Sequence, residues 1–185
     1  MSDRNDRDAL VVVDMLNRYE HADADRLVDS VRESLPAMRS MIDAAREREL
    51  LLVYVNDCFG DWSANAAKLT DHARAGSAPE LVEPVAPDAE DPFIVKARHS
   101  IFYETQLEYL LRQEGVRRIT LVGQVTEQCI LYSALDGYVR HFEVAVAPDA
   151  VAHIHQDLAD AALRLMEINM HARLVPAGVC AFDAD

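Results

Sequence analysis

The chain has 185 residues, half of them hydrophobic, and 32 acidic side chains stand against 18 basic ones for a formal charge of −14. A field of that sign repels phosphate backbones and anionic headgroups, which excludes nucleic acid and membrane surfaces as partners. The length suits one domain spanning 1–185, and three cysteines without CxxC spacing argue for reduced thiols rather than a disulfide framework or zinc site.

No apolar run approaches the roughly 20 residues of a membrane span, and the opening MSDRNDRDAL has no signal-peptide core, so a cytoplasmic protein is expected. Residues 1–8 read as a disordered lead-in. The run Ala9–Val13 reads as a strand buried on both faces of a parallel sheet, with Asp14 at its carboxyl end. Ligands of open α/β sheets bind beyond that edge, so Asp14 is either placed for chemistry or caps the following turn.

A polar loop over 17–25 precedes a helical pattern from Ala24 to Arg48, whose stripe is Leu27, Val31, Met38, Met41, Ile42 and Ala45. Pro36 predicts a kink or a break there. The run 50–55 is a second strand, ending in Asn56, Asp57, Cys58, Phe59, Gly60, Asp61 and Trp62. Residues 63–91, with Gly76, Pro79, Pro84 and Pro87, read as a long irregular excursion holding a short helix over 64–73, of the kind that forms lids or binding loops.

Pro92 opens a third strand, Phe93–Val95, and Lys96 stands at its end. Lysine is rare in this chain, where only Lys68 and Lys96 interrupt a basic set otherwise made of arginine. A retained lysine offers a compact charge of adjustable pKa that a guanidinium does not. A helix over 104–113 with Gly115 as its cap leads to the strand Ile119–Val122, then Gly123, a tight turn and a helix over 127–140 with Cys129 in its first turn. A cysteine there faces unpaired backbone N–H groups, which favour thiolate and can hold an oxyanion; the alternative is a small buried residue that packs helix on sheet. A strand over 144–147 closed by Asp149, a helix over 157–170 and a short strand at Leu174 and Val175 complete the pattern. Strands alternating with helices predict an α/β fold with a doubly wound, mostly parallel sheet of about six strands.

In such a sheet Asp14, Lys96 and Cys129 share one edge. An ammonium beside the thiol lowers its pKa, and a carboxylate can take its proton and return it to a leaving amine. His99 is a further base candidate, weighed against a solvated loop histidine. No G-x-G-x-x-G follows the first strand, whose end reads VVVDMLNR, which speaks against a nucleotide-binding domain.

From ALVVVD through YVND, VKARHSIFYET and LVGQVTEQC to VAPDA, the sequence resembles the isochorismatase-like cysteine hydrolases, which include nicotinamidases and N-carbamoylsarcosine amidase. The most specific element is G-x-x-T-x-x-C, here Gly123, Thr126 and Cys129. The resemblance implies an Asp14–Lys96–Cys129 triad, a cis peptide at Gln124–Val125, and an oxyanion hole from the N–H groups of Val125 and Cys129. It also implies a homo-oligomer, dimer or tetramer.

Two departures narrow the expectation. Nicotinamidases carry an Asp-x-His metal motif after the second strand, and the matching positions are Asp57 and Phe59, which cannot ligate. His153 and His155 are weak metal evidence and read as a polar loop, so neither metal nor cofactor is expected. Isochorismatases that cleave a vinyl ether lack the cysteine, so its presence favours small amide substrates. The expected function is metal-independent cleavage of a C–N bond in a small amide or ureido molecule through a thioester, with Asn17, Phe59, Trp62, Phe102 and Tyr132 as pocket walls. The alternative is a catalytically idle binding or assembly module of the same fold.

Overall fold

The computed structural model describes residues 7–177 and Phe182. Six strands form one parallel sheet: β1 (Arg7–Val13), β2 (Leu51–Asp57), β3 (Phe93–Lys96), β4 (Val116–Gln124), β5 (Glu143–Ala152) and β6 (Arg173–Leu174), in the spatial order β3-β2-β1-β4-β5-β6. The helices are α1 (Ala24–Glu47), α2 (Ala66–Arg74), α3 (Leu107–Gln113), α4 (Leu131–Val139) and α5 (Gln156–Met170). Residues 1–6 of the expected lead-in and Cys180 lie outside the described residues, whereas Arg7 and Asp8 belong to β1.

Strand alternation divides the core in two. Ala9, Val11 and Val13 face one side with Val53, Ile119, Leu121 and Val146, against Leu107, Leu111, Ile130, Ala134 and Met166 of the α3–α5 side. Leu10 and Val12 face the other side with Leu52, Tyr54 and Val122, against Leu27, Val31, Met38, Met41, Ile42 and Ala45 of α1. Both faces of β1 are therefore dry, which is why its sequence is a continuous apolar run.

The boundaries differ from expectation where packing overrides local signals. Pro36 neither breaks nor divides α1, which runs through it. Its ring is on the exposed face, while the apolar stripe on both sides of it is buried against the sheet. That continuous burial outweighs the ~3 kcal/mol a helical proline costs. Helix α3 starts at Leu107, not at 104, because Glu104 has φ 52°, outside helical space. β5 runs past Pro148 and Asp149 to Ala152 through a register shift, so Asp149 lies inside the strand rather than closing it, and accepts the Ala177 N–H at 2.9 Å.

The 63–91 excursion is packed down, unlike an open lid. After α2 it makes two 3₁₀ turns, Pro79–Leu81 and Glu83–Val85, and buries Leu69, Leu81, Val82 and Val85. Gly76 lies on the backbone of Arg18, where a Cβ would come within 2.4 Å of the carbonyl oxygen, and Ser77 donates its N–H to the same oxygen at 2.9 Å. Among the described residues no helix is long and apolar enough to cross a membrane.

Candidate active site

Strand order reverses beside β1, whose neighbours are β2 on one side and β4 on the other. The crevice that opens at such a switch point lies at the carboxyl ends of these strands, and Asp14 enters it directly after β1. Its backbone is left-handed, φ 56°, a conformation that aspartate adopts more readily than most residues. The turn is held from three directions: Asp14 N–H donates to Val55 O at 3.0 Å, Gln124 Nε2 donates to Asp14 O at 2.6 Å, and Leu16 N–H donates to Asn56 Oδ1 at 2.9 Å.

Lys96 ends β3, with β2 between it and β1, so only a long side chain can reach Asp14. It does so buried, its side chain 1 % exposed, with Nζ 2.8 Å from Asp14 Oδ2 and 3.8 Å from Asp57 Oδ2. Asp14 Oδ1 accepts the Asp57 N–H at 2.8 Å. The other lysine, Lys68, is on the surface, donating to Ser63 Oγ at 2.6 Å.

Cys129 follows β4 through the G-x-x-T-x-x-C element, and each named residue of that element has a separate task. Gly123, φ 114°, lets β4 press on β1, since a Cβ would stand 2.2 Å from Val13 O. Thr126 Oγ1 donates to Ala152 O at 2.9 Å and ties the turn to β5. The Gln124–Val125 peptide is cis, and the Val125 carbonyl accepts the N–H groups of Gln128 and Ile130. Cys129 lies in a π-helical turn, Thr126–Ile130, that runs directly into the regular α-helix beginning at Leu131. Its Sγ is 3.6 Å from Lys96 Nζ and 3.7 Å from His99 Nδ1.

Burial, then the negative charge of Asp14, pushes the Cys129 thiol well above its ordinary value; Lys96 and the Val125 N–H work in the opposite direction. Burial therefore works against the lowering that Lys96 and the turn N–H exert on the thiol. Asp14 is raised too, by burial, against the lowering effects of Lys96, Cys129 and the Asp57 N–H. Desolvation pulls Lys96 down, but the opposing effects, led by the charge of Asp14, outweigh it and hold Lys96 above its ordinary value. A protonated amine thus binds a carboxylate of increased proton affinity, and that carboxylate faces a thiol.

The expected pocket walls separate. Phe102 is not a wall: it is buried in the core, stacked on Phe142 at 5.8 Å between centroids. Asn17 Oδ1 is committed to its own loop, accepting the Tyr19 N–H at 2.7 Å. Phe59 is half exposed and lines a cavity of about 490 Å³ with Cys58, Asp61, Lys68, Leu69, Asp71 and His72. Trp62 is 86 % exposed, and exposed Tyr132 stands against His99 with ring centroids 5.5 Å apart. Among the described residues no three His, Cys, Asp or Glu side chains gather to hold a metal. Phe59, two residues after Asp57, carries no ligating side-chain atom. His153 Nδ1 engages Ser30 Oγ at 2.9 Å and His155 Nδ1 faces Arg26 Nη1 at 3.2 Å, so each histidine is bound to α1 and not to a shared centre.

Two side-chain roles went unread in the sequence: that of Asn56, noted there as one of the polar groups at a strand end, and that of Gln124, expected there for its cis peptide alone. Both are buried polar side chains whose amides cross between strand ends. A polar residue at the end of an apolar strand was the available signal.

A parallel six-stranded sheet that gathers carboxylate, ammonium and thiol where its strand order reverses defines an α/β protein built around a cysteine at a strand-to-helix turn. The Isochorismatase domain model matches residues 8–177, and the chain belongs to that family. It is 30 % identical over 90 % of its length to the isochorismatase family protein YaaI of Bacillus subtilis, covering 92 % of that protein. It is 27 % identical to the maleamate amidohydrolase of Pseudomonas putida, over 84 % of this chain and 76 % of the relative. The structure of N-carbamoylsarcosine amidase from Thermoplasma acidophilum superposes with a TM-score of 0.72 at 26 % identity, over 92 % of this chain and 96 % of that one.

Proposed function

We propose that the protein is a metal-independent cysteine hydrolase that cleaves a C–N bond of a small amide or ureido molecule. The observation that carries the reading is the single contact group in which Lys96 Nζ lies 2.8 Å from Asp14 Oδ2 and 3.6 Å from Cys129 Sγ. The amidohydrolase named among its relatives supports the substrate class.

Asp14 accepts the thiol proton, and the new thiolate attacks the substrate carbonyl while Lys96 holds sulfur and carboxylate together. The N–H groups of Val125 and Cys129 receive the oxyanion. Asp14 returns the proton to the departing nitrogen, leaving a thioester on Cys129 that water hydrolyses. The raised proton affinity of Asp14 suits it to this exchange. Phe59, Trp62 and Tyr132 are the proposed substrate contacts. Ammonia release is measured across a panel of small amides and ureides. Turnover by the wild type and none by Cys129→Ala is expected; turnover retained in the variant refutes the nucleophile.

The burial of Cys129, 8 % exposed, favours a second reading, a catalytically idle binding module. Iodoacetamide decides between them: alkylation of Cys129 stimulated by a bound amide fits the hydrolase, and a thiol inert under all conditions fits the idle module.

The protein is also proposed to act as a homo-oligomer in a reducing cytoplasm. Tyr132, Leu135 and Val139 on α4 and Leu158, Leu165 and Ile168 on α5 form exposed apolar rows, and Cys58 and Cys129 are free thiols.

A further inference from the structure

Resting on the hydrolase reading, we infer that His99 is a fourth catalytic residue, the base that activates water in the second half of the reaction. The sulfur of Cys129 is bracketed by two nitrogens. Lys96 Nζ, at 3.6 Å, is on the buried side and carries no lone pair when protonated. His99 Nδ1, at 3.7 Å, belongs to an exposed ring on the loop after β3, and Tyr132 backs that ring from α4.

Once the first product has left, a thioester carbonyl is bonded to Sγ and water must reach it from solvent. The carboxylate of Asp14 lies beneath, its side chain 11 % exposed, with one oxygen on the Asp57 N–H and the other on Lys96. The imidazole stands on the side from which water comes. It accepts a proton as the water oxygen bonds to the carbonyl carbon. The carbon–sulfur bond then breaks, and the proton passes from the imidazolium to the departing sulfur. Thioester and water become carboxylic acid and thiol, and imidazole returns to its starting form. Asp14 serves acylation from below and His99 serves deacylation from above.

The division is tested with p-nitrophenyl acetate, an ester that acylates thiol hydrolases and whose first product is coloured. In wild type, Cys129→Ala and His99→Gln, the p-nitrophenolate burst reports acylation and the steady rate reports deacylation. His99→Gln is expected to keep the burst and to lose about 10²-fold in steady rate. Acetylated Cys129 should accumulate by intact mass, and hydroxylamine, a stronger nucleophile than water, should restore turnover. A steady rate equal to wild type, or burst and steady rate falling together, overturns the role of His99 and leaves the nucleophile standing. A wild type without a burst, or a burst that survives in Cys129→Ala, overturns the hydrolase reading and this inference with it.

Discussion

Replacing Lys96 by methionine removes the one ammonium in contact with both Asp14 and Cys129. The side chain is 1 % exposed, so the loss leaves Asp14 in a dry site with the Asp57 N–H and the Cys129 thiol as its remaining partners. Breaking one partner from a buried pair costs about 3–5 kcal/mol. With a urea dependence of about 2 kcal/mol per molar, the unfolding midpoint should drop by roughly 1.5–2.5 M. The cost is set by pH, because Asp14 can escape it by taking a proton. Asp14 is already raised in the folded wild type, and loss of Lys96 raises it further. A raised acid contributes stability that is complete below its unfolded pKa, near 3.8, and is lost as pH rises through the folded value. The gap between wild type and variant should therefore be small near pH 4 and grow toward neutrality. It should then persist until Lys96, itself raised, loses its proton above 10.5 in the alkaline range. Urea unfolding at a series of pH values reads this directly. A gap below about 1 kcal/mol that does not change with pH refutes the buried-pair argument, since surface pairs have that magnitude.

Gly123→Ala should unfold the protein or cost more than about 4 kcal/mol, because its Cβ meets Val13 O at 2.2 Å; circular dichroism melting checks it. The acid limb of the pH–rate profile for amide hydrolysis should fall above the ordinary carboxylate value, since Asp14 must be ionised to accept the thiol proton and burial raises it; a limb at or below 3.8 contradicts the assignment. Phe102→Ala should cost about 3–5 kcal/mol of stability with no change in KM, as befits a core ring and not a pocket wall; a selective rise in KM refutes it. Leu135→Glu together with Leu165→Glu should lower the mass seen by light scattering to that of one chain, whereas an unchanged mass removes these helices from any interface.

Strand cores were legible because a parallel sheet covered on both faces selects uninterrupted β-branched runs, as in β1 and β4. The relation of Asp14, Lys96 and Cys129 was legible for a geometric reason: parallel strands all end on one rim. What was not legible depended on burial. How far burial opposes the ammonium beside Cys129 was not legible, because a sequence shows which charges are near but not how much water is left around them, and desolvation is the leading effect here. Phe102 was misjudged because an aromatic just past a strand end can turn inward or outward, and it turns onto Phe142. The break expected at Pro36 and the strand end expected at Asp149 failed in the same manner: each is a local stop signal placed where long-range packing or a register shift carries the element through. Asn56 and Gln124 act through bonds to residues 40 and 110 positions away, which no window along the chain displays.

The pairing of β1 with β4 joins the two halves of the sheet, β1–β3 on one side and β4–β6 on the other. Asp14 and Lys96 come from the amino-terminal half and Cys129 from the other, so neither half alone holds a complete set. The seam closes a loop of about a hundred residues, and contacts of such sequence separation form slowly. The proposed chemistry would in that respect report assembly: a chain that has folded each half but not zipped the seam would carry the helices and strands of both halves and no complete centre.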